Sequence, residues 1–184
     1  MINVVLHEPE IPANTGNIGR TCAATGIQLH LIKPLGFSLD EKHLRRAGMD
    51  YWSSLNVKIY ENYEDFLEKN PGAKIYYATT KAKKVYTQAS YEPDCYIMFG
   101  KESAGIPEEI LVEHEEDCVR IPMNEKYRSL NLSNSVAIIL PLCLVSVAAS
   151  ALRGTLPLLH AGHRVGNGDT IIMESCEYCN SFLN

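Results

Sequence analysis

The chain reads as short apolar runs separated by polar, Gly- and Pro-bearing turns. Ile2–Leu6, Ile27–Ile32, Val57–Tyr60, Ile75–Thr79, Cys95–Phe99 and Cys118–Ile121 each have the length and β-branched or aromatic content of a buried strand. Between them lie helical patterns. Asn14 stands where it can cap a helix that turns Ile18, Cys22 and Ala23 inward and ends at Gly26. Ser38-Leu39-Asp40-Glu41 has the capping-box spacing and opens a helix that carries Leu44 and stops at Gly48. Tyr63–Lys69 is a short amphipathic helix, and Pro107 opens another in its first turn. Strands alternating with helices predict an α/β fold: a mostly parallel sheet with helices on both faces, and ligands outside the carboxyl ends of the strands.

Ser129-Leu130-Asn131-Leu132-Ser133-Asn134-Ser135 stands out, because several hydrogen-bonding side chains crowd the front of the apolar run Val136–Leu140. This is a polar loop turning into a buried helix, with hydroxyls and amides left over for a ligand, or else an elaborate cap. Two further polar-Gly stretches, Asn14–Gly26 and Gly100–Gly105, also follow predicted strands. All three should converge on one edge of the sheet.

With 184 residues, 46% apolar and 21% charged, the chain has the composition of a soluble globular protein built around one core. A net charge of -5 means that any polyanion must meet a local basic patch. The N-terminus lacks the basic region and long apolar run of a signal peptide, so the cytoplasm is expected, and the six cysteines read as reduced, mostly packed thiols.

Four stretches in register resemble the SPOUT class of RNA methyltransferases: Asn14–Arg20, Leu44–Trp52, Phe99–Ile106, and Ile121-Pro122-Met123 with Ser129–Val136. The likeness is greatest to the small tRNA (cytidine/uridine-34)-2'-O-methyltransferases of the TrmL (YibK) type, over residues 1–140. It implies a C-terminal trefoil knot, a rare exception to the usual threading of chains, and a homodimer. It also implies S-adenosylmethionine as methyl donor, released as S-adenosylhomocysteine, and tRNA as substrate, methylated on the ribose 2'-oxygen of the wobble nucleotide. A non-catalytic RNA-binding protein of the same fold is the alternative.

The resemblance carries roles to particular positions. Ala78, Gly100, Glu102, Gly105, Ile121, Met123, Ser129, Leu130 and Asn134 match donor-pocket positions. Gly100 and Gly105 would bring backbone close to the ligand, and Glu102 can fix its loop by accepting amide hydrogens; an ordinary Gly turn explains the same residues. Arg20 matches the catalytic arginine, expected to serve the partner subunit's site, with Ser129 and Asn134 beside it as catalytic candidates. A guanidinium stays protonated below about pH 12, so electrostatic activation suits Arg20 better than proton abstraction. Arg20, Lys42, Arg45, Arg46, Lys81, Lys83, Lys84 and Arg128, with Lys126, are candidate RNA phosphate contacts, against the alternative of a solvated charged face. Tyr51 and Trp52 could stack bases or simply pack. No metal is required.

The likeness stops near Leu140. Residues 1–140 are expected to form the methyltransferase domain, with the closing helix reaching about residue 150, and 141–184 an atypical segment. Pro141 should kink or shorten that helix. Residues 136–152 are nearly long and apolar enough to span a membrane, but the central proline and the buried start of the helix favour core or interface, so no membrane is expected. His160, His163, Cys176 and Cys179 have the spacing of a four-ligand zinc set, but a segment with incidental cysteines fits the abrupt change better.

Overall fold

The computed structural model describes residues 2–39, 52, 55 and 57–155. The chain divides into two compact units, Met1–Arg153 and Gly154–Asn184; of the second, only Gly154 and Thr155 are among the described residues. All but the first two residues of the helix expected from Ser38 to Gly48, the basic residues Lys42, Arg45 and Arg46, Tyr51, and the His/Cys pairs of the tail lie outside them.

In chain order the elements are β1 (Asn3–His7), α1 (Pro12–Thr25), β2 (Gln28–Ile32), β3 (Val57–Tyr60), α2 (Tyr63–Lys69), β4 (Ile75–Ala78), β5 (Tyr96–Phe99), α3 (Glu108–Glu113), β6 (Cys118–Val119) and α4 (Leu132–Thr155). The strands form one parallel sheet in the order β3-β2-β1-β5-β4-β6. β5 enters between β1 and β4, so Leu6 and Ala78 both pair with Phe99. Because all strands run the same way, the loops after β1, β4, β5 and β6 leave from one edge.

Residue alternation sends each strand's side chains to two cores. Val4 and Leu6 of β1, Ile97 and Phe99 of β5, and Leu29 and Leu31 of β2 pack under α1 (Ile18, Cys22) and α4 (Val136, Ile139, Leu140, Cys143). Val5, Ile32, Tyr77 and Met98 face the other way, against Phe66 of α2 and Ile110 and Leu111 of α3. The result is three layers, as the alternation of strands and helices implies.

Three local expectations are corrected. α1 begins a turn earlier than Asn14: Pro12 occupies its first turn, where a fixed φ and a missing N–H cost nothing, and Ile11 at the cap makes no side-chain hydrogen bond. Asn14 is thus inside the helix and its side chain is free for other work. Ala23 is exposed, although Ile18 and Cys22 are buried; Gly26 ends the helix at φ 66° as expected. Pro141 does not end α4, which continues to Thr155. Proline removes the N–H that would bond the Ala137 carbonyl, but Pro141 and Ala137 both lie on the exposed side, where solvent can take up that carbonyl.

The 18 residues Leu132–Ala149 are long and apolar enough to cross a membrane by length and composition. Their buried positions, Leu132, Val136, Ile139, Leu140 and Cys143, recur at three and four residues and fall on one stripe against the sheet, the signature of a helix packed on a core. The opposite face, with Ile138 and Val145, is exposed.

Candidate functional site

At the carboxyl edge of β4, β5 and β6 lies a cavity of about 480 Å³, in the range of small-molecule sites. Ala78 and Thr79 form one wall, the loop Phe99–Ile106 another, and Ile121, Met123 and Arg128–Leu132 a third. Its lining mixes apolar side chains (Ile106, Val119, Ile121, Ile139) with backbone of the Gly100–Gly105 loop and the hydroxyls of Ser129 and Ser135. An adenosyl group, with an apolar ring face and polar edges, suits such a lining.

The glycines do something different from what the sequence suggested. A β-carbon on residue 100 would lie 2.0 Å from the Gly105 carbonyl carbon and 2.1 Å from the Ile106 nitrogen, so Gly100 lets the loop close on itself. Gly105 meets no such crowding, but its φ of +76° is one that a side chain disfavours. The Gly105 N–H bonds the Lys101 carbonyl at 2.8 Å and completes the turn.

Glu102 holds this loop to the start of α1. Its carboxylate accepts from the Glu10 N–H at 2.8 Å, the Ile11 N–H at 3.3 Å and the Asn14 side-chain amide at 2.9 Å, which places negative charge at the positive end of the helix. The contact is reciprocal. Glu10 accepts from the Ser103 N–H at 2.9 Å and hydroxyl at 2.8 Å, bonds that hold its carboxyl below the usual range. Lys101 pairs with Glu8 at 2.8 Å, which raises the ammonium's pKa.

From Asn14 the network continues to the third loop. The Asn131 side-chain amide donates to the Asn14 side-chain oxygen at 2.9 Å, while the Asn131 side-chain oxygen accepts from the Ser133 hydroxyl at 2.7 Å and the Asn134 N–H at 3.3 Å, capping α4. Glu102, Asn14 and Asn131 therefore join the three polar-Gly stretches by side chains.

The residues expected at the site divide as follows. Ala78, Gly100, Glu102, Gly105, Ile121, Met123, Ser129 and Leu130 line the cavity, as do Lys81 and Arg128. Asn134 is not among the lining residues; it is exposed on the first turn of α4. Asn131 lines the cavity instead, together with Asn14, and neither was singled out as a site residue from the sequence. Both had been visible as polar residues in the right stretches, but only spatial pairing distinguishes them from Asn134. Arg20 is exposed on α1 and does not line this chain's own cavity. Lys81 pairs with Glu108, Lys83 with Glu115 at 2.5 Å, and Lys84 donates to the Glu116 carbonyl at 2.5 Å, so this basic run is largely answered by acidic neighbours.

The buried cysteines do not offer a nucleophile. Burial pushes the thiols of Cys22 and Cys143 up to about 12 and Cys95 up to about 11, and the Cys118 thiol is also raised. Among the described residues no three side chains are grouped to hold a metal ion.

The profile of the SpoU rRNA Methylase family matches residues 1–141. A Listeria monocytogenes (serotype 4b, strain F2365) protein provisionally named as a tRNA (cytidine(34)-2'-O)-methyltransferase is 51% identical over 140 residues, spanning 74% of this chain and 83% of the relative. The tRNA (cytidine(34)-2'-O)-methyltransferase of Escherichia coli K12 is 46% identical over 140 residues, 76% of this chain and 89% of its own. A solved structure concerned with 2-OH methylation of C/U34 on tRNA superposes with a TM-score of 0.75 at 38% identity, over 81% of this chain and 97% of the other. With a sheet, a cavity and matched residues that cover the same part of the molecule, the chain belongs to the SpoU rRNA methylase family.

Proposed function

We propose that this protein transfers a methyl group from S-adenosylmethionine to the ribose 2'-oxygen of the wobble nucleotide of tRNA, a cytidine or modified uridine at position 34, and that it works as a cytosolic homodimer. The observation that carries this reading is the cavity at the carboxyl edge, where the loops near residues 100, 121 and 130 meet. Ala78, Ile121 and Met123 suit the adenosine, while Ser129, Leu130 and the Gly100–Gly105 backbone suit the rest of the donor. S-adenosylmethionine bound there supplies the methyl group.

The chain's own part is positioning. Asn14, Glu102 and Asn131 hold the walls in register so that the 2'-oxygen can align behind the methyl carbon, and positioning of this kind can supply much of the acceleration. Arg20, exposed on α1, would neutralise charge developing on that oxygen in the partner subunit's site. The exposed apolar face of α4, with Ile138 and Val145, gives a homodimer a surface to cover. The strand order, together with the pairing of residues 84–86 against Arg120, is compatible with the trefoil knot that the resemblance implies.

Incubation of the purified protein with unmodified tRNA and labelled donor tests the reading. Label should enter tRNA with the parent protein and not with Arg20→Ala, and S-adenosylhomocysteine should bind both. RNA binding without transfer by the parent would instead indicate the non-catalytic alternative.

A further inference from the structure

Tyr127, one residue before the cavity-lining Arg128, has 70% of its surface exposed. Tyrosine joins a flat apolar ring to a polar tip and is enriched where partners dock. A tight turn presents it: the Tyr127 N–H bonds the Asn124 carbonyl at 3.0 Å, and the Lys126 N–H bonds the Asn124 side-chain oxygen at 3.0 Å. Its chain neighbours are Lys126 and Arg128, and Arg128 and Ser129 line the cavity. An exposed ring between two cations, one residue from the cavity wall, is the arrangement that receives an unstacked base while the cations meet its phosphates.

Resting on the functional reading above, we propose that Tyr127 is a stacking platform for one base of the tRNA anticodon loop and positions the reacting ribose over the donor cavity. The reaction takes place on the sugar, so the base need not enter the cavity and is available to a ring at its rim. Stacking tolerates any base, so Tyr127 contributes affinity and placement, not the identity of the nucleotide.

The test uses the full-length protein and a tRNA that it methylates. Tyr127→Ala should raise KM for tRNA about tenfold and lower kcat, leave S-adenosylhomocysteine affinity unchanged, and leave the oligomeric state as it was. Tyr127→Phe should restore the parent KM, because the ring and not the hydroxyl is used. Replacing anticodon-loop nucleotides one at a time with abasic sugars should find one position whose loss raises KM by the same factor in the parent and by nothing further in Tyr127→Ala. The salt dependence of binding should be unchanged in Tyr127→Ala and reduced in Lys126→Ala.

An unchanged KM, losses that simply add at every abasic position, failure of Phe to rescue, or a changed oligomeric state would each overturn the inference while leaving the methyltransferase reading intact. A parent protein that binds the donor product but methylates no tRNA would overturn that reading and the inference with it.

Discussion

The two faces of the sheet are built on different chemistry. Under α1 and α4 the interior is mostly aliphatic or thiol, with the rings of Phe99, Tyr76 and Tyr91 among it, and polar groups appear at its rim, where Glu102, Asn14 and Asn131 meet the cavity. Under α2 the interior holds a cluster of rings: His30 lies stacked on Tyr60 with its Nδ1 2.8 Å from the Tyr60 hydroxyl, and Phe66 and Tyr96 meet it edge-on. Asn70 donates to Tyr60 at 3.2 Å and accepts from the Tyr96 hydroxyl at 3.0 Å. The titratable group most shifted toward unusual acidity is thus far from the chemistry, held as structure. Here the perturbed His30 marks a satisfied core, its ring nitrogens meeting Tyr60 and Asn3, and the site is marked by hydrogen bonds between loops.

The contrast can be broken in order of expected effect. On the aliphatic face, Leu140→Ala removes a side chain only 2% exposed and should cost about 2–5 kcal/mol in urea unfolding. On the ring face the lever is pH. Burial lowers the His30 pKa from 6.5 to about 4, and burial lowers that of His7 as well. Between these values the unfolded chain binds protons that the folded chain refuses, so stability should be full above pH 6.5 and fall by about 3 kcal/mol for His30 as the pH drops toward 4. Urea midpoints across that window should flatten in His30→Phe. At the rim, Asn131→Ala leaves the Asn14 side-chain oxygen without this donor and should weaken S-adenosylhomocysteine binding by about 1–2 kcal/mol, measured by titration calorimetry. The smallest effect belongs to the bare side of α4: Val145→Ala, 66% exposed, should change the stability of a single chain by no more than about 0.5 kcal/mol. A larger loss that grows on dilution would identify Val145 as part of a subunit contact.

What the sequence made legible follows the range of the forces involved. The strands, the Gly26 stop and the convergence of three loops depend on local pattern and on strands running parallel, and each was readable. Asn14 was misread as a cap because Pro12 could start the helix a turn earlier, and nothing local indicates that Glu102, 88 residues away, needs the amide. No local pattern shows that Lys83 and Lys84, candidates for phosphate contacts, meet Glu115 and the Glu116 carbonyl 32 residues on. Pro141 read as a kink or a shortening because a sequence does not say which side of a helix faces solvent. Asn131 and Asn134 are equivalent on paper, and only their distances to Asn14 separate them.

The bond from Asn131 to Asn14 spans 117 residues. A chain emerging from the ribosome carries β1, α1 and the Gly100 loop long before α4 exists, and until then one wall of the cleft is missing. Contacts of such sequence separation close late and slowly. Competence to hold the donor therefore arrives with α4, which makes donor-product affinity a measure of whether synthesis and folding have both passed that helix.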